Sequence, residues 1–198
     1  MNSGTVKMWQ KISKIGTKIV GAGLVESNFG NISVRSGVDS FVITKTGAAL
    51  DEITLEKVVE VPIGGTPDAA IERTASSETP IHRKIYAETG AKAILHAHCP
   101  YSVVMSILEN EIGNNSIIPI DSEGKLFLKE IPIVAGSIGS AELAENAAEA
   151  LKNAKGVIVL GHGTIAVGET LEEAYYITAQ LEHSAKIKYL YSEAKKLF

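Results

Sequence analysis

Short apolar runs with the character of β-strands alternate with helical patterns along this chain, and this alternation restricts its fold more than any other feature. Val157-Ile158-Val159-Leu160 is the clearest core strand, and residues 93–98 read as a second buried strand. Between residues 8 and 19, apolar residues recur at the three- and four-residue spacing of an amphipathic helix. Strands and helices that interleave without internal repeats or an obvious linker predict one α/β or α+β domain over residues 1–198.

Residues with capping roles predict where several helices begin. Thr79 before Pro80 predicts a helix start, because threonine can cap free amide groups and proline suits the first helical positions. Ser140 opens a second predicted helix that runs to about residue 152. Thr170, with Glu173 three residues later, forms a capping box and predicts a long final helix that ends near residue 196.

The remaining strands are predicted from shorter runs. Residues 33–35 and 41–44 predict a hairpin, and a weaker strand follows around residues 58–61. Residues 131–134 form a short strand at best, because Pro132 cannot donate to a strand ladder. Residues 109–129 are the longest stretch without a clear pattern, and long loops of this kind are often functional.

Composition and charge exclude several classes of protein. The chain is 45% hydrophobic, and its net charge of -4 comes from 23 acidic and 19 basic residues mixed along the sequence. The sequence has no basic face that would indicate a nucleic-acid partner. No stretch of it approaches the roughly 20 apolar residues of a membrane span. The one cysteine, Cys99, cannot form an internal disulfide and is predicted to be a small buried residue rather than a nucleophile. A cytoplasmic location is expected.

Three histidines near the ends of predicted strands favour a shared metal ion. His96 and His98 flank one alanine, and because side chains alternate along a strand, both imidazoles project from the same face. His162 lies between Gly161 and Gly163, and these glycines let the backbone turn sharply after the strongest strand. Three imidazoles with open positions are typical of a catalytic rather than a structural zinc site. The alternative is that the three histidines have unrelated core or surface roles.

Three small polar clusters could bind an anion. Ser76-Ser77-Glu78-Thr79 precedes a predicted helix, where free amide groups and the helix dipole favour negative charge. Gly30-Asn31-Ile32-Ser33 and Thr44-Lys45-Thr46-Gly47 lie beside predicted strands. Each cluster could form a plain cap or turn, or could hold a phosphate through backbone N–H groups, and none is specific alone.

Together these segments resemble the class II aldolase/adducin-head family, and particularly its fuculose-phosphate aldolase branch. The motifs occur in family order: Gly30-Asn31-Ile32-Ser33-Val34-Arg35, Thr44-Lys45-Thr46-Gly47, Ser76-Ser77-Glu78-Thr79-Pro80-Ile81-His82, His96-Ala97-His98-Cys99-Pro100 and Gly161-His162-Gly163. Five ordered matches over most of the chain are far more specific than any one. The resemblance implies a three-layer α/β/α domain around a mainly antiparallel central sheet, and a homotetramer with active sites at subunit interfaces.

The resemblance also implies roles for particular residues. The zinc ligands would be His96, His98 and His162. Glu78 would be the catalytic acid/base and could also ligate the resting metal. Independently of the resemblance, His82 lies one helical turn beyond Glu78, and we expect it to support the site rather than to ligate. The residues that hold the substrate phosphate would be Asn31, Thr46, Gly47, Ser76 and Ser77. Another divalent ion such as Co²⁺ or Mn²⁺ would also suit nitrogen and oxygen ligands.

At one position the sequence departs from the fuculose-phosphate aldolase pattern. Those enzymes use a tyrosine from a neighbouring subunit to protonate the leaving aldehyde's oxygen, and this chain has no tyrosine between residues 108 and 131. An ungapped comparison through Ile131-Pro132 places Asp121 near that position, which makes Asp121 a candidate catalytic residue. Other candidates are Glu123, Lys125, Tyr189 and Tyr191.

The predicted function is a zinc-dependent aldolase that reversibly cleaves a phosphorylated ketose into dihydroxyacetone phosphate and a short aldehyde such as lactaldehyde. Pentulose-5-phosphate 4-epimerases and methylthioribulose-1-phosphate dehydratases share the scaffold and ligands, and differ in auxiliary residues. A non-catalytic assembly module like the adducin head is a further alternative. That alternative predicts degraded ligands, whereas this chain retains the three histidines and Glu78.

Overall fold

One mixed β-sheet organises the fold in the computed structural model, which describes residues 3–26, 28–65 and 68–197. Within these residues its eight strands are β1 (Gly30–Arg35), β2 (Ser40–Thr44), β3 (Val58–Pro62), β4 (Ala93–Ala97), β5 (Ser116–Ile117), β6 (Ile131–Val134), β7 (Gly156–Val159) and β8 (Gly163–Gly168). Their order across the sheet is β3-β2-β1-β4-β8-β7-β6-β5. Neighbouring strands are antiparallel except β6 and β7, which are parallel. The mainly antiparallel sheet is therefore confirmed.

Helices cover both faces of this sheet. They are α1 (Ser3–Gly21), α2 (Ala69–Thr74), α3 (Thr79–Glu88), α4 (Pro100–Glu111), α5 (Ser122–Phe127), α6 (Ala141–Leu151) and α7 (Leu171–Lys195). Apolar residues of α3 and α6 pack on one face, and those of α1, α4 and α7 pack on the other. The three-layer α/β/α arrangement is confirmed. None of the described helices combines the length and the apolar character of a membrane span.

The alternation of side chains along β4 decides which layer receives its histidine. Leu95 packs in the core on the α1 and α7 side, whereas Ile94 packs with α3 and α6. Because side chains alternate, His96 projects to the same side as Ile94. The C-terminal end of β4 therefore presents His96 towards the layer that contains α3.

The predicted helix starts are confirmed at all three positions, but the expected cap is wrong at one of them. Ser140 accepts a hydrogen bond from the Leu143 amide, and Thr170 accepts one from the Glu173 amide. At the third position, Glu78 rather than Thr79 is the N-cap of α3. The Thr79 hydroxyl instead donates to the Ser76 carbonyl at 2.6 Å and closes the preceding turn. The expected threonine cap is wrong because that hydroxyl is already engaged.

Two parts of the chain are more regular than their sequence indicates. The stretch 109–129 holds the end of α4, the short strand β5 and the helix α5, so it is not a long loop. The sequence pattern does not indicate strand β8, because that strand begins and ends with glycine, a residue depleted in strands. A Cβ atom at Gly163 would lie 2.4 Å from the carbonyl oxygen of Ala97, so close approach of β8 to β4 requires that glycine.

The prediction that Cys99 is a small buried residue is confirmed. Its side chain is fully buried, and the thiol donates to the Leu24 carbonyl at 3.3 Å. Burial, with a further contribution from the nearby Glu182, raises the pKa of the Cys99 thiol to about 12. The thiol therefore remains protonated at neutral pH and is a poor nucleophile.

Candidate functional site

Three histidines from separate parts of the chain meet at one end of the central strands. His96 lies near the end of β4, His98 follows just beyond that strand, and His162 lies in the turn between β7 and β8. Their ring centroids are 4.4 to 4.9 Å apart. One potential ligand atom from each ring lies within 4.8 Å of the other two, which is compatible with a shared metal ion.

Glycines on both sides of β4 allow this convergence. A Cβ atom at Gly30 on β1 would lie 2.5 Å from the His96 carbonyl oxygen, and the corresponding approach of β8 requires Gly163. Gly161 has a φ of 67°, a left-handed conformation that favours glycine, in the short turn that carries His162. Close strand packing and this tight turn together bring the His162 ring to the end of β4.

The Glu78 carboxylate lies against the histidine group. Its Oε2 is 3.1 Å from His96 Nε2, and its Oε1 is 3.7 Å from His162 Nδ1. The Asn31 side-chain amide donates to Oε2 at 2.7 Å and orients the carboxylate. Because Glu78 is 5% exposed, its negative charge sits in a buried environment that favours a nearby cation.

The hydrogen bonds of His96 indicate that its free nitrogen is suited to ligate a metal. Its Nδ1–H donates to the Thr164 carbonyl at 2.9 Å, which leaves an unprotonated Nε2 that faces Glu78. Within the described residues, His96 Nε2 and His162 Nδ1 are buried without a hydrogen-bond partner. Two unpartnered ring nitrogens beside a carboxylate fit a divalent cation, which all three could contact.

The electrostatic environment keeps the three imidazoles in their neutral, ligating form. Burial, with a further contribution from the neighbouring His98, lowers the pKa of His96 to about 3. Burial and the proximity of His96 also lower the pKa of His162 to about 4. The pKa of His98 is lowered by burial although Glu78 opposes that shift. At neutral pH the rings are therefore available as electron-pair donors.

A polar cavity of about 230 Å³ opens beside the histidines. His98, His162 and Glu78 contribute to its wall. The five residues with an expected role in phosphate binding also line it: Asn31, Thr46, Gly47, Ser76 and Ser77. The structure therefore brings the three polar clusters and the histidine group to one place.

Backbone pairing explains how two of the clusters meet although about 30 residues separate them. Lys45 and Ala75 form an isolated β-bridge, and the Ser76 amide donates to the Thr44 carbonyl at 3.2 Å. The Thr46 hydroxyl donates to the Ala75 carbonyl at 2.8 Å. These bonds align residues 44–47 with the turn that leads into α3, so both segments face the same cavity.

Lys45 also lines the cavity, although the sequence pattern predicts no individual role for it. It lines the wall with the hydroxyl-bearing residues, and its ammonium makes no ion pair with any residue in the described part of the chain. A lysine inside the small polar cluster 44–47 was the available signal. It adds a positive charge where an anion would enter.

Asp121 occupies a different position from the histidine group. Its Oδ2 caps α5 by accepting from the Gly124 amide at 2.7 Å, and it also accepts from the Gln180 side chain at 2.9 Å. It is not among the described residues that line the cavity. A role for Asp121 in the site of a neighbouring subunit stays a prediction.

His82 does not belong to the three-histidine group. Its Nδ1 is 2.7 Å from the Ser33 hydroxyl, which also lies 2.8 Å from the Tyr86 hydroxyl. These contacts join α3 to β1 beneath the candidate site. The position of His82 is compatible with the expected supporting role.

The chain is similar to known proteins both in sequence and in fold. The family model described as class II aldolase and adducin N-terminal domain matches residues 10–189. An L-fuculose phosphate aldolase of Methanocaldococcus jannaschii is 33% identical, over 92% of this chain and 96% of its own. The crystal structure of L-fuculose-1-phosphate aldolase from Thermus thermophilus is 33% identical, with a TM-score of 0.84 over 98% of this chain and 97% of that one.

Other relatives carry the names of different reactions. A 3-oxo-tetronate 4-phosphate decarboxylase of Pectobacterium atrosepticum is 26% identical over 92% of this chain and 84% of its own. A methylthioribulose-1-phosphate dehydratase of Acidiphilium cryptum is 28% identical over 87% of this chain and 85% of its own. The comparisons therefore include more than one reaction on the same scaffold.

Proposed function

Because the chain belongs to the class II aldolase and adducin N-terminal domain family, we propose that it is a metal-dependent aldolase acting on a phosphorylated ketose. The reaction is reversible cleavage of an L-fuculose 1-phosphate-like substrate into dihydroxyacetone phosphate and a short aldehyde such as lactaldehyde. The observation that carries this proposal is that the histidine group and Glu78 lie together beside the polar cavity. Similarity to proteins named fuculose phosphate aldolases supports the reaction class.

We propose that the metal is zinc and that His96, His98 and His162 hold it. Their nitrogen donors suit Zn²⁺, and Co²⁺ or Mn²⁺ could take its place. When bound, the ion supplies Lewis-acid stabilisation of the negative charge that develops on the substrate as its carbon–carbon bond breaks. The Thr164 carbonyl fixes the orientation and tautomer of the His96 ring for this task.

We assign the proton transfer to Glu78. Its carboxylate lines the cavity beside the histidines, and the Asn31 amide holds one of its oxygens. A carboxylate so placed can accept or return a proton at the carbon next to the ketone. Asp121 from a neighbouring subunit is our candidate for the proton at the leaving aldehyde's oxygen.

The phosphate of the substrate would occupy the polar cavity. The hydroxyl-bearing residues Thr46, Ser76 and Ser77 line it, and Gly47 adopts a left-handed φ of 72° there. Holding the phosphate fixes the reacting carbons against the metal ligands and Glu78, so this cavity contributes mainly by positioning.

Substitution of Lys45 by methionine is expected to weaken phosphate binding. Charged hydrogen bonds contribute about 1.5–3 kcal/mol, so KM for the phosphorylated substrate and Kd for inorganic phosphate should rise roughly 10- to 100-fold. The rate constant kcat should change little, because Lys45 is not among the residues of the histidine group. Calorimetric titration with inorganic phosphate and steady-state kinetics measure these quantities.

Lys57→Met is the matched control for Lys45→Met. Lys57 pairs with Glu52 at 3.4 Å and is not among the described residues that line the cavity. Its substitution removes the same charge from the neighbouring segment without touching the cavity. Equal phosphate affinity in the Lys45 and Lys57 variants would contradict a role for Lys45 in anion binding.

We extend the proposal to a homotetramer with active sites at subunit interfaces. Large apolar side chains are exposed along residues 104–127, and examples are Ile112 at 73%, Leu126 at 68% and Phe127 at 59%. Apolar surface of this kind supports association with other subunits. Asp121 lies in the same segment, so association would let it reach a neighbouring site.

Product analysis tests the proposed reaction directly. The zinc-loaded protein is incubated with L-fuculose 1-phosphate, ribulose 5-phosphate, methylthioribulose 1-phosphate and 3-oxo-tetronate 4-phosphate. Dihydroxyacetone phosphate released from the first substrate, detected by its enzymatic reduction with NADH, is the expected result. A dehydrated, epimerised or decarboxylated product from another substrate, with no cleavage of the first, would assign a different reaction to this scaffold.

A further inference from the structure

The N-terminus of α4 lies directly after the candidate ligand His98 and lacks a capping side chain of its own. Cys99 is the N-cap residue, and its side chain accepts no hydrogen bond from the helix. Pro100 has no N–H group, so the first free amides of α4 belong to Tyr101 and Ser102. Buried amides of this kind need an acceptor from elsewhere in the fold.

Glu182, about 80 residues later on α7, supplies those acceptors. Its Oε1 accepts from the Tyr101 amide at 2.9 Å. Its Oε2 accepts from the Ser102 amide and the Ser102 hydroxyl, both at 2.8 Å. The next amide, that of Val103, donates to the Cys99 carbonyl at 3.0 Å. Every free amide in the first turn of α4 is therefore satisfied.

A buried carboxylate that caps a helix carries a desolvation penalty, because its charge is removed from water. Glu182 is only 8% exposed, and the amides and dipole at the start of α4 offset part of that cost. On the other side of the turn, the Cys99 thiol donates to the Leu24 carbonyl. The His98 backbone is thus held between β4, the Leu24 loop and a helix that α7 fixes in place.

We propose that Glu182 is a positioning residue for the metal centre. It holds the first turn of α4, and with it the His98 backbone, at the separation from His96 and His162 that lets three rings share one ion. This inference rests on the metal centre of the proposed function. It assigns no contact between Glu182 and the metal or the substrate.

The other end of α4 offers a matched control. Glu109 is 5% exposed, and its Oε1 pairs with Lys188 of α7 at 2.6 Å. Its Oε2 accepts from the Asn114 side chain at 2.6 Å. Glu109 therefore also joins α4 to α7, but it lies about 15 Å along the helix from the His98 end, at roughly 1.5 Å per residue. Glu182→Gln and Glu109→Gln remove the same charge from contacts at opposite ends of α4.

The experiment measures zinc affinity of the full-length protein by competition with a chelator, without substrate. We expect Glu182→Gln to lower zinc affinity roughly 10- to 100-fold, as is typical for residues that orient metal ligands. Glu109→Gln should lower thermal stability but leave zinc affinity at the wild-type value. The visible absorption of the Co²⁺-substituted protein should change in Glu182→Gln and not in Glu109→Gln, because only the former moves a ligand.

A milder variant covers the case in which Glu182→Gln does not fold. Ser102→Ala removes one of the three hydrogen bonds to Glu182, so a smaller loss of zinc affinity in the same direction is expected. If the folded variants at the His98 end bind zinc as tightly as Glu109→Gln, Glu182 has only a structural role and the inference is overturned. Wild-type protein that binds no metal would instead overturn the proposed metal centre itself, and the inference with it.

Discussion

Replacement of His96 by alanine is expected to abolish stoichiometric metal binding and to lower the rate of ketose cleavage by about 10³-fold or more. Lewis-acid stabilisation by a bound metal is worth about several kcal/mol in the transition state. Because about 1.36 kcal/mol of activation free energy corresponds to a factor of ten in rate, its loss accounts for this magnitude. His96 is the most buried of the three histidines, and its ring is already oriented by the Thr164 carbonyl. Metal analysis of the purified variant and its kcat/KM for the phosphorylated ketose measure both effects.

His183→Ala is the control for His96→Ala. His183 is an exposed histidine on α7 and is not part of the three-histidine group. The control variant should retain wild-type metal content. A folded His96→Ala protein that still bound one equivalent of metal as tightly as wild type would contradict the assignment of His96 as a ligand.

Replacement of Glu78 by glutamine is expected to lower kcat by about 10²- to 10⁴-fold, the usual contribution of a positioned general acid or base. Glutamine keeps the size of the side chain but cannot accept the substrate's proton. The three histidines remain, so the variant should still bind metal. Stopped assays of kcat, with metal analysis of the same samples, separate loss of proton transfer from loss of the ion.

The metal-free form of Glu78→Gln should be at least as stable as metal-free wild type. Its new amide N–H can donate to His96 Nε2, which has no hydrogen-bond partner among the described residues. The Asn31 side chain can accommodate this change by rotating its amide, since its Oδ1 is also buried and unpartnered within the described chain. A new hydrogen bond of this kind contributes about 0.5–1.5 kcal/mol to the free energy of unfolding.

Glu109→Gln again provides the comparison, because Glu109 is as buried as Glu78 but pairs with Lys188. We expect it to lose stability and to keep kcat. Thermal unfolding of the two metal-free variants should therefore shift in opposite directions or leave Glu78→Gln unchanged. Wild-type kcat in Glu78→Gln would remove Glu78 from the proton transfer.

Local sequence patterns predicted the elements whose stabilising contacts are themselves local. The caps at Ser140 and Thr170 and the hairpin of β1 and β2 are examples, since each depends on residues close together in the chain. The shared face of His96 and His98 followed from strand alternation. The five ordered motifs identify the family, and that resemblance implies the sheet type and the residues expected to hold a phosphate.

Other features depended on neighbours that are remote in sequence. Threonine is a common helix cap, but the Thr79 hydroxyl donates its hydrogen bond to the Ser76 carbonyl instead. Strand β8 looks unfavourable by propensity, yet close packing against β4 selects its first glycine. A helical pattern does not reveal that Glu182 caps α4, because its partners are amides of another helix.

The sequence by itself determined which chemical groups this protein possesses and the local elements that carry them: three imidazoles, one carboxylate before a helix, and small polar clusters beside strands. Only the tertiary structure decided that these groups face one another, with ring centroids 4.4 to 4.9 Å apart and a cavity alongside. The physical reason is that strand order and backbone close approach arise from packing between distant segments, and residue spacing along the chain does not encode them.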